Sequence, residues 1–266
     1  MKHFLCAVTA VLCLVAAHGA SAHEFWIEPE AHRVAPDDNI RAALRVGQDF
    51  KGSEFPFLES RFKRFTVTGP AGTYDVEGTL GDRPAANVPP QGEGLHILAY
   101  HSSVDTLTFR KMEKFLNYVT YEGNEWALEA HRAAGMPETG FKEEYSRNAK
   151  ALVQVGAVQP GEGDRALGLP IELIAQAHPA EVSVGDTMPV QLLWQGAPLA
   201  GQRINIFTKG TSGPPPHVVT DAQGRAEVPL TEAGRYMLNA VHMFERDGAG
   251  DVFWESYWAS LTFAVE

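Results

Sequence analysis

Seven short runs of strand-forming residues follow one another between Pro170 and the C-terminus, and a turn cuts off each one. They span residues 171–176, 187–194, 202–208, 217–220, 226–229, 234–244 and 253–265. Successive side chains of a strand point to opposite faces, so runs of this length must bury one side against a second sheet. Seven strands in about 100 residues is the count of an immunoglobulin-like sandwich. The turns between them are specific. Gln195-Gly196-Ala197-Pro198 separates two runs, and Asp221-Ala222-Gln223-Gly224 carries Asp first and Gly last. No Cys–Trp–Cys pattern is present, so the expectation is an Ig-like relative and not an antibody domain.

Upstream the chain divides into two further zones. Residues 40–46, 64–68, 73–78, 94–101 and 106–109 read as strands separated by proline and glycine turns. Residues 111–120, 125–134 and 142–152 carry helix formers, with Phe115, Tyr118 and Val119 at helical spacing. Gln159-Pro160-Gly161-Glu162-Gly163 has the composition of a linker that few contacts cross. The expected architecture is mainly β: an N-terminal β domain over 23–109, a helical segment over 110–158, and a C-terminal Ig-like sandwich over 159–266. Two β-sandwich domains would thus flank a helical insert.

Residues 1–22 have the build of a secretory signal peptide. Lys2 supplies the positive start, residues 4–17 the apolar core, and Ala20-Ser21-Ala22 the small-x-small pattern cut by a signal peptidase. That apolar stretch is shorter than the roughly 20 residues needed to span a bilayer. Both cysteines, Cys6 and Cys13, lie inside the removed segment. The mature chain therefore has no disulfide, thiolate metal site or cysteine nucleophile. Net charge is −11, and one unit more negative without Lys2. An acidic surface disfavours nucleic acid and anionic membranes. These features imply a periplasmic protein without a transmembrane segment.

Cleavage after Ala22 leaves HEFWIEP with a free amine on His23. An α-amine and an imidazole on one residue can chelate a single metal ion. The amine titrates at about 7.7–8.0, so binding must displace its proton and weakens in acid. The last two runs supply further candidates. A hairpin centred on Asp247-Gly248-Ala249-Gly250 would set His242 opposite Glu255 at the open end of the core-facing side. Imidazole and carboxylate are ordinary ligands for first-row divalent ions, although the two could equally bond each other. His101, at the end of its strand, is an additional candidate ligand, and His96 falls on the opposite face. His32, His131, His178 and His217 read as surface or turn residues. Glu24 and Glu28 bracket Phe25-Trp26, which read as anchors of a first strand. No phosphate loop, G-x-S-x-G elbow or paired-His helix occurs.

The start HEFWIEP, the runs EEYSRNAKALVQVG and GLPIELIAQAHP, and the ending AVHMFERDGAGDVFWESYWASLTF resemble an uncharacterised family of exported bacterial proteins. This domain of unknown function is similar to the periplasmic capture part of nickel and cobalt uptake systems. The resemblance implies an exported β-rich protein linked to nickel or cobalt uptake, with His23, His242 and Glu255 as the positions carried over by motif; the nitrogen and oxygen donors also suit copper or zinc. The resemblance also implies a membrane metal transporter as partner, with this chain capturing or carrying the ion. Two alternatives stand beside it. One is a terminal-His copper oxygenase acting on a polymer. The other is a non-metal Ig-like binding or adhesion module.

Overall fold

A computed structural model describes residues 23–246 and 250–266. The signal-peptide reading, and Asp247-Gly248-Ala249 of the final hairpin tip, lie outside the described residues. The chain begins with β1 (Glu24–Pro29), β2 (Arg33–Val34), β3 (Ile40–Gln48), β4 (Lys51–Phe55), β5 (Phe62–Gly69), β6 (Gly72–Asp75), β7 (Ala86–Val88), β8 (Gly94–Ser102) and β9 (Asp105–Phe109). Two helices follow, α1 (Met112–Glu122) and α2 (Trp126–Ala133), and then the long strand β10 (Phe141–Val155). The rest is β11 (Ile171–Ala175), β12 (Thr187–Trp194), β13 (Ala197–Pro198), β14 (Arg203–Thr208), β15 (His217–Val219), β16 (Arg225–Pro229), β17 (Gly234–Glu245) and β18 (Val252–Val265). The fold is mainly β, and all seven C-terminal runs are strands.

A ten-stranded sheet forms the middle layer, in the order β15-β14-β17-β18-β10-β8-β5-β6, with β2 and β9 also paired to β10. It takes strands from both ends of the chain. β10 is the seam: it pairs parallel with β18 and antiparallel with β8 and β9. The sheet of β1, β3, β4 and β7 covers one face through a core that includes Phe25, Ile27, Leu44, Phe65, Tyr100 and Ala151. The sheet of β11, β12, β13 and β16 covers the other through Leu173, Val190, Leu238, Leu261 and Phe263. Along any strand of the middle layer, alternate residues therefore feed two different cores.

The helical zone is shorter than its composition suggests. In α1, Phe115, Tyr118, Val119 and Glu122 recur at helical spacing and form the buried stripe. The helix ends at Gly123, whose φ of 75° is the left-handed C-cap that glycine adopts without cost. Both helices pack their stripes on Val241, Met243, Trp254 and Trp258 of the middle sheet. Residues 142–152, expected as helix, lie instead within β10. Its Lys, Glu and Ala favour helix locally, but β10 is flanked by strands on both edges and buried throughout its second half. Tertiary pairing overrides weak propensity there.

The segment expected to be a loose linker is pinned. Glu162 accepts the backbone N–H of Leu95 at 2.8 Å. Lys150, 1 % exposed, pairs with Asp164 at 2.7 Å and Glu172 at 3.2 Å. Asp164 also accepts the N–H groups of Arg165 and Ala175, and Glu172 those of Leu167, Gly168 and Leu169. Every charge in this buried triad meets an opposite charge or a donor.

Candidate functional site

Strict alternation in the sequence EFWIEP decides what surrounds the start of the chain. Phe25 and Ile27 turn into the core beneath the first sheet. Glu24, Trp26 and Glu28 turn the other way, and all of β1 is buried. Three layers result. Glu28 is ionic: Arg45 meets it at 2.7 Å and Lys209 at 2.6 Å. Trp26 is apolar, packed with Phe50, Phe207 and Met237. Glu24 lies in a polar layer with Tyr121 and Glu122 of α1 and Asp49 of the β3–β4 turn.

That polar layer is poorly compensated. Glu24 is 1 % exposed, and neither carboxylate oxygen has a hydrogen-bond partner among the described residues. Its own N–H, the Tyr121 hydroxyl and the Asp49 backbone are near enough to favour the charged form, but none reaches hydrogen-bond geometry. Burial dominates and pushes its pKa up to about 7. Glu122 is held well above the carboxylate range by burial and by the Glu24 charge, although Asn205 and Asn239 donate to it at 3.2 and 3.1 Å. Tyr121 donates to Asp49 at 2.8 Å. A tight turn delivers Asp49 and Phe50, both with left-handed backbones at φ 55° and 57°. That conformation is costly for a bulky side chain such as Phe50 and persists here under the packing of Trp26 and Lys209.

The structure separates the residues picked from sequence. Thr262 donates to the Ile27 carbonyl at 2.7 Å, which sets β1 on the face carrying even-numbered residues of β18. Arg147, on that same face, lies 3.5 Å from the His23 carbonyl. Glu255 and Tyr257 are odd-numbered and point the other way. The middle sheet therefore lies between His23 and the pair His242 and Glu255, and the expected meeting of chain start and hairpin does not occur. The hairpin register also differs from expectation. His242 pairs with Tyr257, and Phe244 with Glu255, so every partner lies two residues further along β18 than expected. An even shift preserves the face, so His242 and Glu255 still share a side. Tyr257 stands between them, donating to Glu255 at 2.8 Å. His101 opens into a cleft with Trp194 and Tyr257. Among the described residues, no group of three or more His, Cys, Asp and Glu side chains is placed to hold a metal ion.

Three histidines expected at the surface are structural. His131 is fully buried, bonded to Pro137 and the Trp254 indole N–H. His178 is buried against Gln154. His32 is half-buried and bonds the Leu152 carbonyl at 2.7 Å. His217 is exposed, as expected. Glu24 escaped the sequence reading, although its alternation with Trp26 in a wholly apolar-flanked strand was the available signal.

A family model described as "Domain of unknown function (DUF4198)" matches residues 20–244. Among solved structures, the D0-D1 domain of intimin is similar at 12 % identity, covering 90 % of this chain and 97 % of that one, with a TM-score of 0.21. The human OSCAR ligand-binding domain is similar at 15 % identity, covering 92 % and 100 %, with a TM-score of 0.20. No curated protein matches the chain. No helix among the described residues is long and apolar enough to cross a membrane.

Proposed function

We propose that the chain, which belongs to the DUF4198 family of domains of unknown function, is a periplasmic protein that binds a transition-metal ion at its mature start. His23 would supply the amine and imidazole, and Glu24 the carboxylate. The observation that carries this reading is the Glu24 side chain: buried, without a hydrogen-bond partner at either oxygen among the described residues, and beside a second buried carboxylate. A cation is the missing member of such a layer, because an uncompensated buried charge is costly. The nitrogen and oxygen donors suit nickel, copper, cobalt or zinc. A bound ion would polarise its ligands and hold the carboxylate ionised. The reading is capture or carriage, with a membrane transporter as the receiving partner.

The test is calorimetric titration of Ni(II), Cu(II), Co(II) and Zn(II) into the chain beginning at His23. The same titration is run on an amine-acetylated form and on Glu24→Gln. Each change should weaken the preferred metal by about tenfold or more, the loss that supporting groups alone already cause at metal sites. His242→Ala and His101→Ala should leave it unchanged. Equal affinity in the acetylated form would overturn the proposal.

A further inference from the structure

On the opposite side of the middle sheet, a cleft of about 490 Å³ lies between the β12–β13 hairpin and the strands β5, β8, β10 and β18. Its volume is that of a small-molecule site. Two aromatic side chains wall it. Trp194 and Tyr257 meet edge to face, with ring centroids 4.6 Å apart. His242 and Phe244 back the indole, at 5.0 and 5.9 Å.

Each wall is held from behind. Trp194 begins the hairpin whose two-residue turn, Gln195-Gly196, is left-handed at both positions, with φ of 50° and 80°. That geometry fixes the direction in which the strand ends. Tyr257 is held by its hydrogen bond to Glu255. The rim segment at Gly168 and Leu169 is tied down by the buried Glu172 carboxylate. A site whose walls are fixed in advance loses little entropy on binding.

The polar groups at this cleft lean towards a negative ligand. Lys63 lines it and is exposed. Arg64, beside His101, donates to the Leu167 carbonyl at 2.7 Å. Lys63 and Arg64 add to burial in driving the His101 pKa down to about 4, so the imidazole is neutral at pH 7. Ser146 also lines the cleft, and its buried hydroxyl has no hydrogen-bond partner among the described residues. The facing carboxylate, Glu255, is already engaged by Tyr257. In a chain of net charge −11, Lys63 lines this cleft beside its two aromatic walls, with Arg64 next to it.

We infer that this cleft binds a planar organic carboxylate, its ring against Trp194 and Tyr257 and its charge towards Lys63. The site is separate from the metal reading and does not depend on it. The probes are 2-naphthoate and its neutral counterpart 2-naphthamide, titrated into the mature chain. Binding is read from the indole N–H resonance of Trp194 and the imidazole C2–H of His101. The acid should give saturable shifts, and the amide should bind about tenfold more weakly, since charge-assisted bonds exceed neutral ones by that order. Lys63→Ala should remove the preference for the acid while leaving amide binding unchanged. Trp194→Phe, which keeps an aromatic wall, should weaken both equally. An amine-acetylated chain should bind the acid as the unmodified chain does, even if its metal affinity is lost. Absence of saturable shifts, equal binding of acid and amide, or an unaltered preference in Lys63→Ala would overturn the inference.

Discussion

Two groups of buried carboxylates stand in this molecule at the same depth and with opposite treatment. Around Lys150, Asp164 and Glu172 share an ammonium group and five backbone N–H donors. Around Glu24, two buried carboxylates share no ion-paired cation among the described residues, Arg203 reaching only Glu122 and only through its field, and one of them has no hydrogen bond there. The first arrangement is complete and serves to lock residues 164–172 onto β10. The second is incomplete in a way folding does not reward. Depth alone therefore does not distinguish the two groups; the missing partner does.

The largest effect should come from making the complete group incomplete. Lys150→Met leaves Asp164 and Glu172 buried without their cation, and should destabilise the chain by about 3–5 kcal/mol in urea unfolding. A loss below ~1 kcal/mol would remove the contrast with Glu24.

Next in size is the reverse experiment. Burial raises the Glu24 pKa from 4.5 to about 7, so the folded chain keeps a proton that the unfolded chain releases. The stability linked to that proton is full below pH 4.5 and is lost as pH rises through about 7. Glu24→Gln resembles the protonated acid. It should match the parent at pH 5 and exceed it at pH 8 by about 1–3 kcal/mol when metal is absent. Thermal unfolding at the two pH values, with a chelator present, checks this. Equal differences at both would show that Glu24 is compensated after all.

The smallest effect belongs to the intermediate case four residues along the same strand. Glu28 is itself buried but paired with Arg45 and Lys209, whose side chains are about a third exposed. Glu28→Gln should cost about 1 kcal/mol at low ionic strength and less in 1 M salt. A salt-independent loss would place Glu28 with the buried triad.

How far the sequence could be read depended on what each residue's neighbours did. The seven C-terminal strands were legible because alternation and turn chemistry agreed. The face of the final hairpin survived a wrong turn centre, because a two-residue shift leaves parity intact. β10 was illegible. Its residues Lys142 to Ala151 favour helix, and only the strands on either side of it impose extension. The candidate site was legible in part. His23 was offered only by the expected cleavage pattern, and the layer at Glu24 needs Tyr121, Glu122, Asn205 and Asn239 from distant segments. No local pattern announces that convergence. His242, Glu255 and His101 do share a face, yet Tyr257 pairs with His242 and donates its hydroxyl to Glu255.

The parallel pairing of β10 with β18 has a temporal consequence. Residues 142–151 find their partners at 252–262, close to the C-terminus. During synthesis, one long edge of β10 stays open until nearly the whole chain has emerged. The middle sheet cannot be joined before that, and such distant pairing is intrinsically slow. The chain's own last strand acts as the latch that joins the two parts of the middle sheet.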